Sequence, residues 1–180
     1  GKSKHGEGKS YDVEFVSANP TGDLHLGHAR QAALGDSICR LLEAVGYDVE
    51  REYYINDAGN QIHNLALSLK ARYYQLFNPD YEMPEDGYHG RDIIAFANSL
   101  KEQYGDTLLD KPLTYFREIG IEHELSKIRK DLDYFRVNFD VYSHEVMLYE
   151  KGWVDQVIPA LREKGYIYEL DDAIWFRTTD

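Results

Sequence analysis

The sequence predicts an α/β fold: a parallel sheet begun by one strand-helix-strand-helix unit and interrupted by a helical insertion. Three observations carry this expectation. Two β-like runs, residues 11–16 and 47–55, each lead into a polar turn and then a long helical pattern. The turns hold the residues that favour them, Asn19-Pro20-Thr21-Gly22 and Asn56-Asp57-Ala58-Gly59. No strand signal then appears between residues 77 and 137, where helical spacing dominates. Such a unit is the first half of a doubly wound, Rossmann-type sheet, which places ligands at the carboxyl ends of its strands.

Taken in order, residues 1–10 are Gly, Ser, Lys and His rich, without periodicity, and read as a flexible lead-in or a tight loop. Gly8-Lys9-Ser10 resembles the end of a P-loop, but Ser3 stands where that loop needs its first glycine, so the reading fails. Tyr11-Asp12-Val13-Glu14-Phe15-Val16 is the first strand. Pro20 presets φ for a turn, and Asp23 is the expected N-cap of the helix that follows. In that helix Leu34, Ile38, Leu41, Leu42 and Val45 share one apolar face, and Gly46 supplies the stop. The second strand, 47–55, precedes a helix over 61–77. Residues 78–87, with two prolines and an acidic run, form a linker. Helices follow at 90–104 and 113–136, the second carrying Ile121, Leu125, Ile128 and Leu132 together with Lys127, Arg129 and Lys130. Residues 139–142 suit a short strand, 154–164 a helix stopped by Gly165, and 166–177 a hairpin around Asp171-Asp172. The expected division is 1–77, 78–138 as the insertion, and 139–180 as a return segment.

Composition bounds the function. The chain has 180 residues, 43% of them hydrophobic, enough for one ordinary domain or slightly more. Its 20 basic and 32 acidic residues give a net charge of −12, which argues against a general nucleic-acid coat while leaving room for a local RNA patch. A lone cysteine, Cys39, excludes an internal disulfide and fits a reducing compartment. No apolar run approaches the ~18 residues of a membrane span, and the N-terminus has no signal-peptide core. A cytoplasmic protein with no membrane or DNA partner is expected.

The candidate site is His25-Leu26-Gly27-His28, at the start of the first long helix. Unpaired N–H groups and the positive dipole end make a helix start favourable for an anion. Histidines at i and i+3 share one face, and Gly27 lets a flat ligand approach the backbone. In phosphoryl chemistry such donors stabilise charge on phosphate oxygens, and losing one costs roughly 3 kcal/mol by analogy with an oxyanion donor. The plain alternative is surface polarity or capping. No Asp, Glu or Cys lies at ligand spacing beside the pair, so no protein-bound metal is expected.

The extended string Glu14-Phe15-Val16-Ser17-Ala18-Asn19-Pro20-Thr21-Gly22-Asp23-Leu24-His25-Leu26-Gly27-His28-Ala29-Arg30 resembles the signature of class I aminoacyl-tRNA synthetases, and more closely that of bacterial arginyl-tRNA synthetases. Tyr54-Ile55-Asn56-Asp57-Ala58-Gly59-Asn60-Gln61 falls where that family has its Asn-Asp-x-Gly-Asn-Gln turn. The likeness runs from about residue 11 to residue 180. It implies a sheet of the class I synthetase type and a two-step reaction: arginine and ATP, the latter carrying Mg2+, form arginyl-adenylate, and the arginyl group then passes to tRNA(Arg). By position, His25, Gly27 and His28 match the catalytic, ATP-binding motif. Ser17, Asn19 and His28 match positions that hold the amino acid, and Glu14 a carboxylate that receives its α-ammonium. Asp57, Gly59 and Gln61 match the second turn. Read alone, Ser17 and Asn19 are also turn formers and Glu14 is also one face of an alternating strand.

The departures shape the expectation. The family's second signature, Lys-Met-Ser-Lys-Ser, is absent, and Gly22-Asp23-Leu24 lacks the lysine that some relatives carry there. Residues gripping the guanidinium are expected beyond Asp180, as are tRNA-binding domains at either end. The chain therefore reads as a catalytic-domain piece with little or no aminoacylation of its own. Two rivals remain: another class I synthetase or His-x-Gly-His nucleotidyltransferase, and a non-catalytic RNA-binding module relying on the Lys127–Lys130 cluster, Arg117 and the basic lead-in from Lys2 to Lys9.

Overall fold

A computed structural model describes residues 3–179. Gly1, Lys2 and Asp180, and with them the outermost parts of the lead-in and of the chain end, lie outside the described residues. The order of elements is β1 (Ser10–Glu14), α1 (Leu26–Ala44), β2 (Asp48–Ile55), α2 (Asn60–Gln75), α3 (Arg91–Tyr104), α4 (Leu113–Tyr134), β3 (Val141–His144), α5 (Glu145–Glu150), α6 (Trp153–Glu163), β4 (Ile167–Leu170) and β5 (Ala173–Phe176). Two compact units result, one ending at Ser143 and the other beginning at His144.

In the first unit β1 and β2 pair in parallel, with Tyr11 opposite Val49 and Val13 opposite Arg51, and the strand order is β1-β2-β3. The crossover through α1 is the strand-helix-strand unit expected from the turns. The lead-in is a tight loop rather than a loose one. The amides of Ser3 and Gly6 donate to the carbonyls of Ala44 and Val45, and Gly6 is buried where any side chain would strike Tyr47.

Two hydrophobic clusters form. Val16, Ala18, Ala32, Tyr53, Ile55, Leu125, Ile128, Leu132 and Val137 join the strand ends to α4. Leu65, Leu69, Tyr73, Ile93, Ala97, Leu100 and Phe116 join α2, α3 and α4. The helices between residues 77 and 137 thus cover the α2 face, and no strand occurs there among the described residues.

Three expectations change. The first strand ends at Glu14, because Val16 and Ser17 take φ of 66° and 39°, which no strand tolerates. The N-cap of α1 is His25, not Asp23. The apolar face of α1 is not the face toward the sheet. Leu34 and Leu41 are 58% and 68% exposed, while the small residues Ala32, Gly35 and Cys39 are buried. Close approach is the reason: a Cβ on Gly35 would stand 2.3 Å from the Phe15 ring, so only a small residue lets α1 lie this near β1.

The second unit contains α5, which the sequence pattern did not suggest, then α6 and an antiparallel β4–β5 hairpin with Leu170 opposite Ala173. Asp171 and Asp172 both have positive φ, 51° and 57°, as a primed two-residue turn requires. The short, locally bonding carboxylate side chain makes that conformation accessible without glycine.

Candidate active site at the carboxyl ends of two parallel strands

The site grows from the end of β1. After Glu14 the chain turns on Val16 and Ser17, both in the left-handed region. For a β-branched valine this is a strained state, held because its side chain is buried in the core. The Ser17 hydroxyl accepts a 3.0 Å hydrogen bond from the Tyr54 amide, tying the turn to β2. Tyr53, fully buried, donates from its hydroxyl to the Ala18 carbonyl at 2.9 Å. Burial, first of all, raises the Tyr53 phenol far above its ordinary range, so it stays a donor.

α1 opens on a reciprocal cap built from the two histidines. The Gly27 amide donates to His25 Nδ1 at 3.0 Å, and the His25 amide donates to His28 Nδ1 at 3.2 Å. The rings stack with centroids 3.7 Å apart. Each Nδ1 accepts, so the hydrogen-bond network assigns the proton of each neutral ring to Nε2. Each histidine therefore satisfies a helix-end amide and keeps one N–H donor for something else. Burial, and then the neighbouring His25, hold the His28 imidazole below its ordinary value and favour the neutral form. The first turn of α1 has no acidic residue, so its dipole end is not already used by a carboxylate of its own. Gly27 is required by this arrangement: a Cβ there would lie 2.8 Å from His25 Cε1 and 3.0 Å from its Nδ1.

The second turn follows β2. Asp57 is buried, and its carbonyl accepts a 2.7 Å bond from Arg117 of α4. Gln61 Oε1 accepts from Asn19 Nδ2 at 2.9 Å, so the two turns are joined by two residues named from the sequence. Gly59 caps α2 with φ of −87°, and a Cβ there would make only ordinary contact with Asn56. Nothing in its geometry demands glycine.

Four of the named residues line two separate cavities, and Asn19, Gly27, Asp57, Gly59 and Gln61 line neither. Glu14 and Ser17 line one of about 400 Å³ between β1 and α1, with Val13, Phe15, Leu34 and Ile38. His25 and His28 line another of about 230 Å³, with Leu24, Ala29, Tyr134 and Phe135. Among the described residues, no group of three His, Cys, Asp or Glu side chains gathers as a metal site. None of the helices described is long and apolar enough to cross a membrane.

Sequence reasoning missed Val16, Tyr53 and the tie from Arg117. Lys127 and Arg129 were read as a basic patch, but Lys127 pairs with Asp23 and Glu124, and Arg129 pairs with Glu122 and lies over the Tyr142 ring. An acidic chain finds partners for its cations, which weakens the patch as an RNA surface.

Comparison with known proteins bears on the family and the fold. Residues 1–176 match the family model described as tRNA synthetases class I (R), catalytic domain. The arginine–tRNA ligase of Bacillus subtilis is 57% identical over 99% of this chain, and that of Geobacillus kaustophilus 56% identical over 99%. The chain spans 33% of the length of each of these curated relatives. Among solved structures, a Campylobacter jejuni protein assigned as an arginyl-tRNA synthetase matches with a TM-score of 0.83 at 33% identity, covering 97% of this chain and 39% of its own. The arginyl-tRNA synthetase of Plasmodium falciparum shares the fold, with a TM-score of 0.66 at 21% identity, covering 98% of this chain and 31% of its own. A chain with this strand-turn-helix unit, matched over nearly its whole length by that family model, belongs to the catalytic-domain family of the arginine-type class I tRNA synthetases.

Proposed function

We propose that the chain supplies the first half of the adenylate-forming site of an arginine–tRNA ligase, with residues 78–138 as an insertion and 139–180 as the return segment. The observation that carries this reading is the two-histidine cap, which closes α1 and leaves two Nε2–H donors at a helix N-terminus whose first turn holds no acidic residue. In the first step a carboxylate oxygen of arginine attacks the α-phosphorus of MgATP, and the bond to pyrophosphate breaks. Charge spreads over phosphate oxygens, and His25 and His28 stabilise it by donating without gaining or losing a proton. In the second step a ribose hydroxyl of the tRNA end attacks the acyl carbon, and AMP leaves. Glu14, Ser17 and Asn19 are assigned to holding the amino acid, and Asp57, Gly59 and Gln61 to the second turn that supports them. The Asn19–Gln61 bond supports that pairing of turns. tRNA charging of this kind belongs in the cytoplasm. These 180 residues hold no Lys-Met-Ser-Lys-Ser loop for the pyrophosphate end of ATP, so they bind adenylate weakly and do not aminoacylate alone.

The test is calorimetric binding of a non-hydrolysable arginyl-adenylate analogue. His25→Asn is the informative variant, because asparagine keeps a side-chain cap acceptor and removes the Nε2–H. Binding weakened in His25→Asn and His28→Ala, with melting of His25→Asn unchanged, is the expected result. Binding untouched by either refutes the role of the histidines.

A further inference from the structure

We propose that α4 sets the position of both site turns, with Lys127 as the positioning residue for the turn that leads into His25; this rests on the reading of that turn as the adenylate site. Lys127 Nζ lies 2.8 Å from Asp23 Oδ1 and 3.0 Å from Glu124 Oε2. The two partners differ. The Glu124 side chain is 7% exposed and shares α4 with Lys127, whereas Asp23 is 74% exposed and stands two residues before the cap. The pair with Glu124 holds the ammonium in place, so less side-chain freedom is lost when it also engages Asp23. α4 itself cannot slide, because Leu125, Ile128 and Leu132 are locked in the core with Val16, Ala18 and Tyr53.

The same helix reaches the second turn through Arg117, whose Nη2 donates to the Asp57 carbonyl at 2.7 Å. Arg117 and Lys127 stand ten residues apart on α4, about 15 Å of helix rise. The turns meet each other through Asn19 and Gln61. Three contacts thus triangulate one rigid helix against two turns. Lys127 has an electrostatic consequence as well. Without it, Asp23 would present an unopposed negative charge beside a helix start that is to receive phosphate.

The test combines hydrogen–deuterium exchange of the 180-residue chain with binding of the arginyl-adenylate analogue. Asp23→Asn leaves the Lys127–Glu124 pair intact and breaks only the tie to the turn. It is expected to raise amide exchange over residues 22–28 about two- to fivefold, the range of a part-exposed ion pair, with exchange in the middle of α4 unchanged. Lys127→Gln gives the same rise, the double variant gives no more than either single one, and Lys127→Arg restores the native rate. Analogue affinity falls at least twofold in Lys127→Gln and returns in Lys127→Arg. Unchanged exchange over 22–28 in a folded Asp23→Asn chain overturns the proposal, as does exchange that rises while Lys127→Gln binds the analogue like the native chain. If the native chain binds no analogue, the adenylate reading fails, and exchange still decides whether Lys127 holds the turn.

Discussion

Replacing Gly27 with alanine separates the site from the stability of the helix that carries it. The added Cβ would stand 2.8 Å from His25 Cε1 and 3.0 Å from Nδ1, so the ring must swing away from the first turn. Moving Nδ1 off the Gly27 amide removes an N-cap, a loss of about 1 kcal/mol. Against this, alanine gains up to about 1 kcal/mol over glycine in helical backbone. The two nearly cancel, and Tm is expected to move by less than about 4 °C for a chain of this size. Binding has no such compensation. On the proposed reading a displaced His25 withdraws its Nε2–H from a charged phosphate, and a hydrogen bond to a charged group contributes about 1.5–3 kcal/mol. That is roughly ten- to 150-fold in Kd. Thermal melting followed by calorimetry with the arginyl-adenylate analogue reads both quantities on one sample. Gly22→Ala is the control, since a Cβ there meets nothing within 4 Å. Native affinity in Gly27→Ala would refute the argument, because the donor could then not be the group the ring position controls.

Three further outcomes are expected. His28 takes its proton less readily folded than unfolded, so the unfolded chain binds more protons just below the ordinary imidazole value, and stability is whole above it and falls as pH drops through it. His123, also held low chiefly by burial, adds to the same slope. Urea midpoints at pH 5.5 and 7.5 check this, and a His28→Gln chain with the full native slope would show that the site does not contribute. Tyr53→Phe leaves the buried Ala18 carbonyl without its donor and is expected to cost about 2 kcal/mol, or about 4–8 °C in Tm, with no change in mass-action binding beyond that of a looser turn. A shift under about 1 °C would show the bond to be immaterial. Leu34→Gln and Leu41→Gln should change stability by no more than about 0.5 kcal/mol while lowering binding of an apolar dye, since both side chains face solvent in this chain. A loss of several kcal/mol would mean that the face is covered in solution.

Strand, turn and helix order were legible because they rest on local chemistry. β-like runs leading into polar turns placed β1 and β2, the apolar spacing placed α4, and the hairpin was read around Asp171-Asp172. What local chemistry could not give was which face of α1 meets the sheet. The leucine face is the stronger signal in sequence, yet Gly35 and Cys39 are buried, because α1 crosses so near Phe15 that a large side chain has no room. Distance between elements is a property of the pair, and no spacing within one helix reveals it. The same holds for Lys127. Its charge is visible at position 127, but Asp23 is 104 positions away, and only the packing of α4 on the strand ends brings them within 2.8 Å. The left-handed valine at position 16 had no signal at all, since residue type argues against the conformation it adopts.

The failed expectation of Asp23 as the N-cap explains why the cap is made of histidines. An aspartate closes a helix well, but on the proposed adenylate reading it would set a carboxylate where a phosphate approaches. A serine or threonine would accept the amide through an oxygen whose one proton lies close to the backbone. A neutral imidazole has its acceptor and its donor on opposite edges of a ring, so Nδ1 can satisfy the Gly27 or His25 amide while Nε2–H faces outward. The i and i+3 spacing lets the second ring reach back to the first residue's amide, and glycine between them clears the ring of His25. The motif His25-Leu26-Gly27-His28 is thus one structural unit in which His25, Gly27 and His28 answer the same demand: close the helix with side chains that keep an N–H donor of their own and bring no carboxylate to its positive end.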